Sequence, residues 1–277
     1  MANCVFCRTK LTRPSGSGSA RSTDEAKEHV LKRQWITALG HNETVISYGV
    51  NKKGIPVGGR RNPTALAMVA GGICYACNSG WMEKVDARAS AALLGLARGN
   101  LRAEDLTRRN RFDLARWLFK TTCVLRHVAP PELRHLPREI LDRAHEPKYL
   151  PSGFLAFCCA GTPPDSHALG ASAQDIWVAA PSALREIPQR TRQKAAFQYD
   201  RLVIGCTWMT TRNRPRFTLF RGVHHVIFES RSRHRFLTDD EDRAFNLDEV
   251  LRLDQGVMSN SIQLLVGVEF LRQKAIR

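Results

Sequence analysis

No run of apolar residues in this chain approaches the ~18 needed to cross a bilayer, so no segment reads as a membrane span. Its start, Met1-Ala-Asn-Cys-Val-Phe-Cys7, also lacks the basic segment and long apolar stretch of a secretory leader. A cytoplasmic, reducing location is therefore expected. Lys and Arg are scattered rather than gathered on one amphipathic helix, so no membrane surface is expected as a partner. Cysteine is sparse, with eight in 277 residues. That is too few for a disulfide scaffold, and four of the eight form two C-x-x-C pairs, which in a reducing compartment read as metal ligands. Acidic residues are short as well: 26 Asp and Glu stand against 42 Lys and Arg, a net charge of +16. Such an excess attracts polyanions, and nucleic acid is the usual one, because neutralised phosphates release condensed counterions. DNA is favoured over RNA.

What is present is ordinary for a soluble globular protein, with 43% hydrophobic residues and a length sufficient for two domains. Residues 1–13 carry the first Cys pair and a short Val/Phe/Leu pattern suited to a two-stranded knuckle, and Ser15-Gly-Ser-Gly-Ser19 reads as a solvated loop. Ser22 to Glu25 matches a capping box and predicts a helix running toward Trp35. Val45 to Tyr48 and Asn51-Lys-Lys-Gly54 read as a strand and a turn, and Gly58-Gly-Arg-Arg61 as a basic loop. From Asn78 onward Trp81, Val85, Ala89, Ala92 and Leu96 recur at helical spacing, with a stop at Gly99-Asn100. A further helix is expected over 104–127, with Leu114, Leu118 and Val124 or Leu125 inside and Asp113, Arg116 and Lys120 outside, and a shorter one over 138–144. Beyond Pro151 come short apolar runs at 154–157, 175–178, 202–206, 217–220, 226–228 and 262–268, the pattern of strands.

Zinc takes about four soft ligands in a tetrahedron, and two intervening residues let both thiolates of a pair turn onto one ion. Cys4, Cys7, Cys74 and Cys77 are thus the expected structural zinc ligands. The 66 residues between Cys7 and Cys74 must hold structure of their own. Cys123, Cys158, Cys159 and Cys206 lie in apolar surroundings and read as buried small hydrophobes.

Between the pairs stands Glu28-His29-Val30, and Asn78 directly follows the second pair at the start of a helix. In this order and spacing, residues 4–90 resemble the HNH endonuclease family, the ββα-metal or His-metal finger group. The resemblance implies a treble-clef-like fold in which His29 is the general base, while Glu28 and Asn78 hold a catalytic Mg²⁺ or Mn²⁺ ion against the scissile phosphate. Where the family carries its central Asn, five residues before Cys74, this chain has Val69. Lys52, Lys53, Arg60 and Arg61 are the expected backbone contacts to nucleic acid. A loop His such as His41 is expected to be solvated, and the run Asp239 to Asp242 reads as a solvated turn.

The expected architecture is α+β: a zinc-stapled ββα-metal module over 1–97, a helical connector over 98–150 and a strand-rich domain over 151–277. Two functions from different classes follow. One is divalent-metal-dependent hydrolysis of phosphodiester bonds in DNA; the other is a non-catalytic zinc-binding protein that docks nucleic acid on the same frame. They part on whether Glu28, His29 and Asn78 converge on one vacant, oxygen-rich metal position.

Overall fold

A computed structural model describes residues 2–12, 21–42, 48–52, 55–61, 65–128, 136–160, 169–174, 192–200, 202–209, 215–220, 224–230, 233–237 and 267–270. The class is α+β. Strand β1 (Glu25–His29) and helix α1 (Arg33–Ala38) are followed by β2 (Tyr48–Lys52), β3 (Ile55–Arg61) and β4 (Val69–Cys74). A helical turn α2 (Tyr75–Cys77) then passes through a π-turn (Asn78–Met82) into α3 (Glu83–Ala97). Next come α4 (Arg108–Val128), α5 (Arg138–Arg143) and strands β5 (Phe154–Ala160), β6 (Leu169–Gln174), β7 (Arg192–Tyr199), β8 (Leu202–Met209), β9 (Pro215–Phe220), β10 (His224–Ser230), β11 (Arg233–Leu237) and β12 (Gly267–Phe270).

The capping box at Ser22 does not start a helix. Glu25, which would have to reach back to Ser22, instead accepts the Gly72 N–H at 2.7 Å, and β1 pairs antiparallel with β4. The carbonyls of Ser22 and Asp24 in turn accept the N–H groups of Ala76 and Tyr75, capping the start of α2. A local signal worth about 1 kcal/mol thus yields to a strand pair and a helix cap. Gly72 has φ +72°, and a Cβ there would meet His127 Nε2 at 2.9 Å, so glycine is required where β4 passes α4.

Thr107 caps α4, its Oγ1 accepting the Asn110 N–H at 3.2 Å. This helix runs between the sheet, which it meets at β5, β8 and β10, and the pair formed by α3 and β4. No face is left for water over its central turns. Leu114, Leu118, Val124 and Leu125 are buried as expected, but so are Asp113, Arg116 and Lys120, contrary to the outward placement that helical periodicity suggests. The Arg116 guanidinium is answered inside: Nη2 donates to the Ala144 carbonyl at 2.8 Å and Nη1 to that of Tyr149.

The main sheet has seven strands in the order β10-β5-β8-β7-β6-β2-β3, antiparallel except where β2 meets β6. The expected basic loop at 58–61 is part of edge strand β3, since backbone pairing with β2 needs no side chains from Gly58 and Gly59. The expected strands at 154–157, 202–206, 217–220 and 226–228 are present, while 175–178 and 262–266 lie outside the described residues. β9 joins β11 and β12 in a second sheet. Trp117 of α4 packs on Trp35 of α1 with centroids 5.3 Å apart and on Phe197 of β7 at 5.4 Å. One hydrophobic core therefore runs from Phe6 and Trp35 through Leu118 to Ile204 and Ile227.

Candidate metal centre

Cys4 and Cys7 flank a tight turn closed by the Arg8 N–H to Cys4 carbonyl bond at 3.0 Å, with Arg8 itself left-handed at φ 62°. An antiparallel bridge between Asn3 and Lys10 completes the knuckle. The Val5 N–H donates to the Gly72 carbonyl at 2.9 Å, and Arg138 donates to the carbonyls of Val5 and Phe6, so the knuckle is docked on β4 and α5. β4 delivers Cys74, and the helical turn after it delivers Cys77.

The four sulfurs lie within 4.8 Å of one another, with Cys4 and Cys77 at 3.9 Å and Cys7 and Cys74 at 3.5 Å. A tetrahedron with Zn–S bonds of ~2.3 Å has S···S edges of about 3.8 Å, so the cluster already has the size of a zinc site. The Cys74 N–H points at Cys4 Sγ at 3.4 Å, the outer-shell donor that a ligating thiolate needs. The hydrogen bond between the Cys4 and Cys77 sulfurs, against the effect of burial, holds Cys4 down to about 4. Cys77 is raised by that same bond and then by burial, whereas burial first of all pushes Cys74 up to about 11. One thiolate forms readily and the next are held back by burial, by hydrogen bonding to it and by its charge; a divalent cation among them offsets that penalty. The four cysteines are thus compatible with a structural zinc. Among the described residues no other group of three or more His, Cys, Asp and Glu side chains comes so close together.

Glu28 and His29 sit at the end of β1, past an irregularity in its pairing with β4, and Glu28 is buried. Glu28 is 5% exposed, and its Oε1 lies 2.9 Å from Lys120 Nζ. The same ammonium lies 2.7 Å from Asp86 Oδ1, and Lys32 approaches Asp86 Oδ2 at 3.4 Å while pairing with Glu83. Burial alone would lower Lys120, but Asp86 and Glu28 outweigh it and hold the ammonium charged well above its ordinary range. His29 is half-buried and pairs in register with Val69. Burial first of all depresses its imidazole, and its Nδ1 is buried with no hydrogen-bond partner among the described residues. Asn78 opens the π-turn, half-buried, and no hydrogen bond joins it to Glu28 or His29 among the described residues. The donors implied for Mg²⁺ or Mn²⁺ therefore do not fit such an ion: one on Glu28 has to displace a buried ammonium already shared by two carboxylates.

Of the expected nucleic-acid contacts, Lys52 ends β2 and Arg60 and Arg61 end β3, at the edge of the main sheet; Lys53 lies outside the described residues. His41 is not solvated. It is fully buried, with Nε2 2.6 Å from Asp200 Oδ1, tying the turn after α1 to the turn between β7 and β8. Cys123, Cys158 and Cys206 are buried, as expected. The run 239–242 lies outside the described residues.

Asp86 and Lys120 escaped the sequence reading although a signal was there. Met82, Asp86, Ala89 and Leu93 are buried at helical spacing one residue off the stripe drawn from Trp81, so an acid occupies a core position of α3. Lys120 does the same in α4, three residues after Trp117. A cleft between α3, α4 and the turn after α5 was also unforeseen. It measures about 200 Å³ and is lined by Trp81, Lys84, Arg88, Phe112, Arg116 and His145, among others. No family model matches the chain, and neither a curated protein nor a solved structure matches it.

Proposed function

We propose that the chain is a nucleic-acid-binding protein on a zinc-stapled frame of the HNH kind, in which the zinc at Cys4, Cys7, Cys74 and Cys77 is structural and Glu28 serves the fold. The observation that carries this reading is the Lys120 ammonium on Glu28 and Asp86. A nuclease of the resembled family needs Glu28 as an oxygen ligand; here that carboxylate already has its cation. The frame is supported by the order β1, β4, helix, with the thiols gathered where strand and helix meet. Zinc on four thiolates has no open coordination position, so it holds the knuckle against β4 and takes no part in chemistry. Partner class rests on charge: +16 over 277 residues favours a polyphosphate.

Hydrolysis of a phosphodiester at His29 is the second reading, and one observation favours it. Burial keeps the imidazole neutral with Nδ1 unpartnered among the described residues, the protonation state of a general base. Incubating the zinc-loaded protein with supercoiled plasmid, with Mg²⁺ or Mn²⁺ and with EDTA, separates the two. The binder retards the plasmid in a gel at low salt and leaves it uncut under every condition, with His29→Ala behaving alike. Nicking that needs the divalent ion and vanishes in His29→Ala establishes the second reading instead.

A further inference from the structure

The cleft between α3 and α4 combines three features. Its walls are aromatic: Trp81 stands edge-on to Phe6 of the knuckle at 5.2 Å, and Phe112 packs on Phe228 at 5.7 Å. Its rim is cationic: Lys84 and Arg88 project from successive turns of α3, both exposed, and neither has an ion pair or hydrogen bond among the described residues. Two of its lining residues also carry a buried donor, Trp81 Nε1 and Arg116 Nε, and neither donor finds an acceptor among the described residues. Arg116 is 3% exposed, and its two terminal nitrogens are committed to backbone carbonyls, which fixes the guanidinium in the wall. Burial lowers it only to about 10, so it remains a cation at neutral pH.

The acids nearby do not compensate. Asp113, the one carboxylate lining the cleft, lies 3.7 Å from Arg109; Glu83 and Asp86 are held by Lys32 and Lys120. Buried donors without acceptors cost free energy, and two of them beside free cations suit a ligand rich in anionic oxygen. At about 200 Å³ the space falls below the ~300–1,000 Å³ of a site that encloses a drug-sized ligand, so a ligand of nucleotide size sits in it only in part. Flat rings stack on Trp and Phe irrespective of base identity, whereas phosphate oxygens suit Arg and Lys.

We propose that this cleft is a nucleotide pocket: Lys84, Arg88, Arg116 and the Trp81 indole N–H take the phosphate of a single nucleotide unit, and Trp81 and Phe112 take its ring. The π-turn contributes to this arrangement. It sets Trp81 four residues after Cys77, so the metal centre fixes the wall of the pocket, and π-turns of this kind recur at functional sites. The proposal deepens the nucleic-acid reading and rests on it for the biological source of the nucleotide.

Isothermal titration of the full, zinc-loaded chain with deoxyadenosine monophosphate, with deoxyadenosine and with inorganic phosphate tests it. The pocket predicts binding of the monophosphate, weaker binding of phosphate alone, and no detectable binding of the nucleoside. Arg88→Ala and Lys84→Ala, both on an exposed rim, each lose about tenfold in affinity for the monophosphate, as removal of a charge-assisted hydrogen bond requires. Trp81→Phe, which keeps a ring and removes the N–H, also weakens it, with zinc content unchanged. No binding of the monophosphate, or the same affinity in Arg88→Ala and Lys84→Ala, overturns the pocket. Equal affinity for phosphate and the monophosphate overturns the role of the aromatic wall. Gel retardation of plasmid by the same samples keeps the two claims apart. Retarded plasmid without monophosphate binding sinks the pocket alone, and monophosphate binding without retardation sinks the polynucleotide reading alone.

Discussion

The Lys120 ammonium lies 2.9 Å from Glu28 Oε1, with both side chains buried, and it shares its charge with Asp86 at 2.7 Å. This contact joins α4 to the end of β1 and to α3, so it locks the part of the chain that carries the four-cysteine cluster to the central helix. Removing the cation leaves two buried carboxylates with, among the described residues, only Lys32 near Asp86 to answer them. Lys120→Met should therefore cost about 3–5 kcal/mol in urea unfolding, the usual penalty for breaking a buried pair from one side. Glu28→Gln should cost less, since the ammonium keeps Asp86. A loss below about 1 kcal/mol for Lys120→Met would mean that the cluster is hydrated or rearranges.

Cys74→Ala removes a ligand that β4 delivers from the core, and the purified variant should carry no zinc where the wild type carries one equivalent. Structural zinc contributes ~10 kcal/mol or more to small fingers that fold only around it. Here the knuckle also leans on a shared core, so the variant should show an early, local loss of protease resistance around residues 2–12 while α4 stays folded. Cys123→Ala, in α4, should keep its zinc. A fully zinc-loaded Cys74→Ala would refute the ligand set.

Cysteine alkylation offers an independent reading of the same sulfurs. Cys206 is buried and pushed up to about 12, and burial raises Cys123 as well, so neither forms a thiolate at pH 8 in the folded protein. Iodoacetamide should spare both until denaturant is added. After chelation the exposed Cys7 should be modified ahead of the buried Cys4, Cys74 and Cys77. Mass spectrometry of peptides resolves the order, and early labelling of Cys206 in native buffer would contradict the fold around α4 and β8.

The pH dependence follows from His29. Its folded-state pKa is depressed by burial, so the unfolded chain takes up the proton first as pH falls. The stability it contributes is complete above the ordinary imidazole value of ~6.5 and is lost as pH drops toward and through the folded value. His29→Gln should flatten the unfolding free energy against pH in that window and leave it unchanged above pH 7.5. An unchanged slope would show that His29 titrates normally and is not held neutral.

Much of this was legible before any coordinates. The C-x-x-C spacing named the four cysteines, and helical periodicity placed α3 and α4, with Gly99 at φ +74° stopping α3 where expected. What escaped was tertiary in origin. The Ser22 capping box failed because Glu25 found the Gly72 N–H across a strand pair. Asp113, Arg116 and Lys120 looked like surface charges because periodicity assigns an inside and an outside, and α4 has no outside over its central turns. His41 looked like a loop histidine because Asp200, its partner, is 159 residues away in sequence. The cleft at Trp81 could not be seen either, since it needs α3, α4 and the turn after α5 at once.

The central claim, a zinc-stapled protein that holds nucleic acid by its phosphates, is tested most directly by the salt dependence of its affinity for a short duplex. Fluorescence anisotropy at stepped salt concentrations, with the metal centre intact, should give log affinity falling linearly with log salt, with a slope of about −0.9 for each phosphate neutralised and several phosphates in total. Chelating the zinc should weaken binding at every salt concentration. Affinity that is absent at low salt, or that does not change with salt, would contradict the account and leave the charge of +16 without a polyanionic partner.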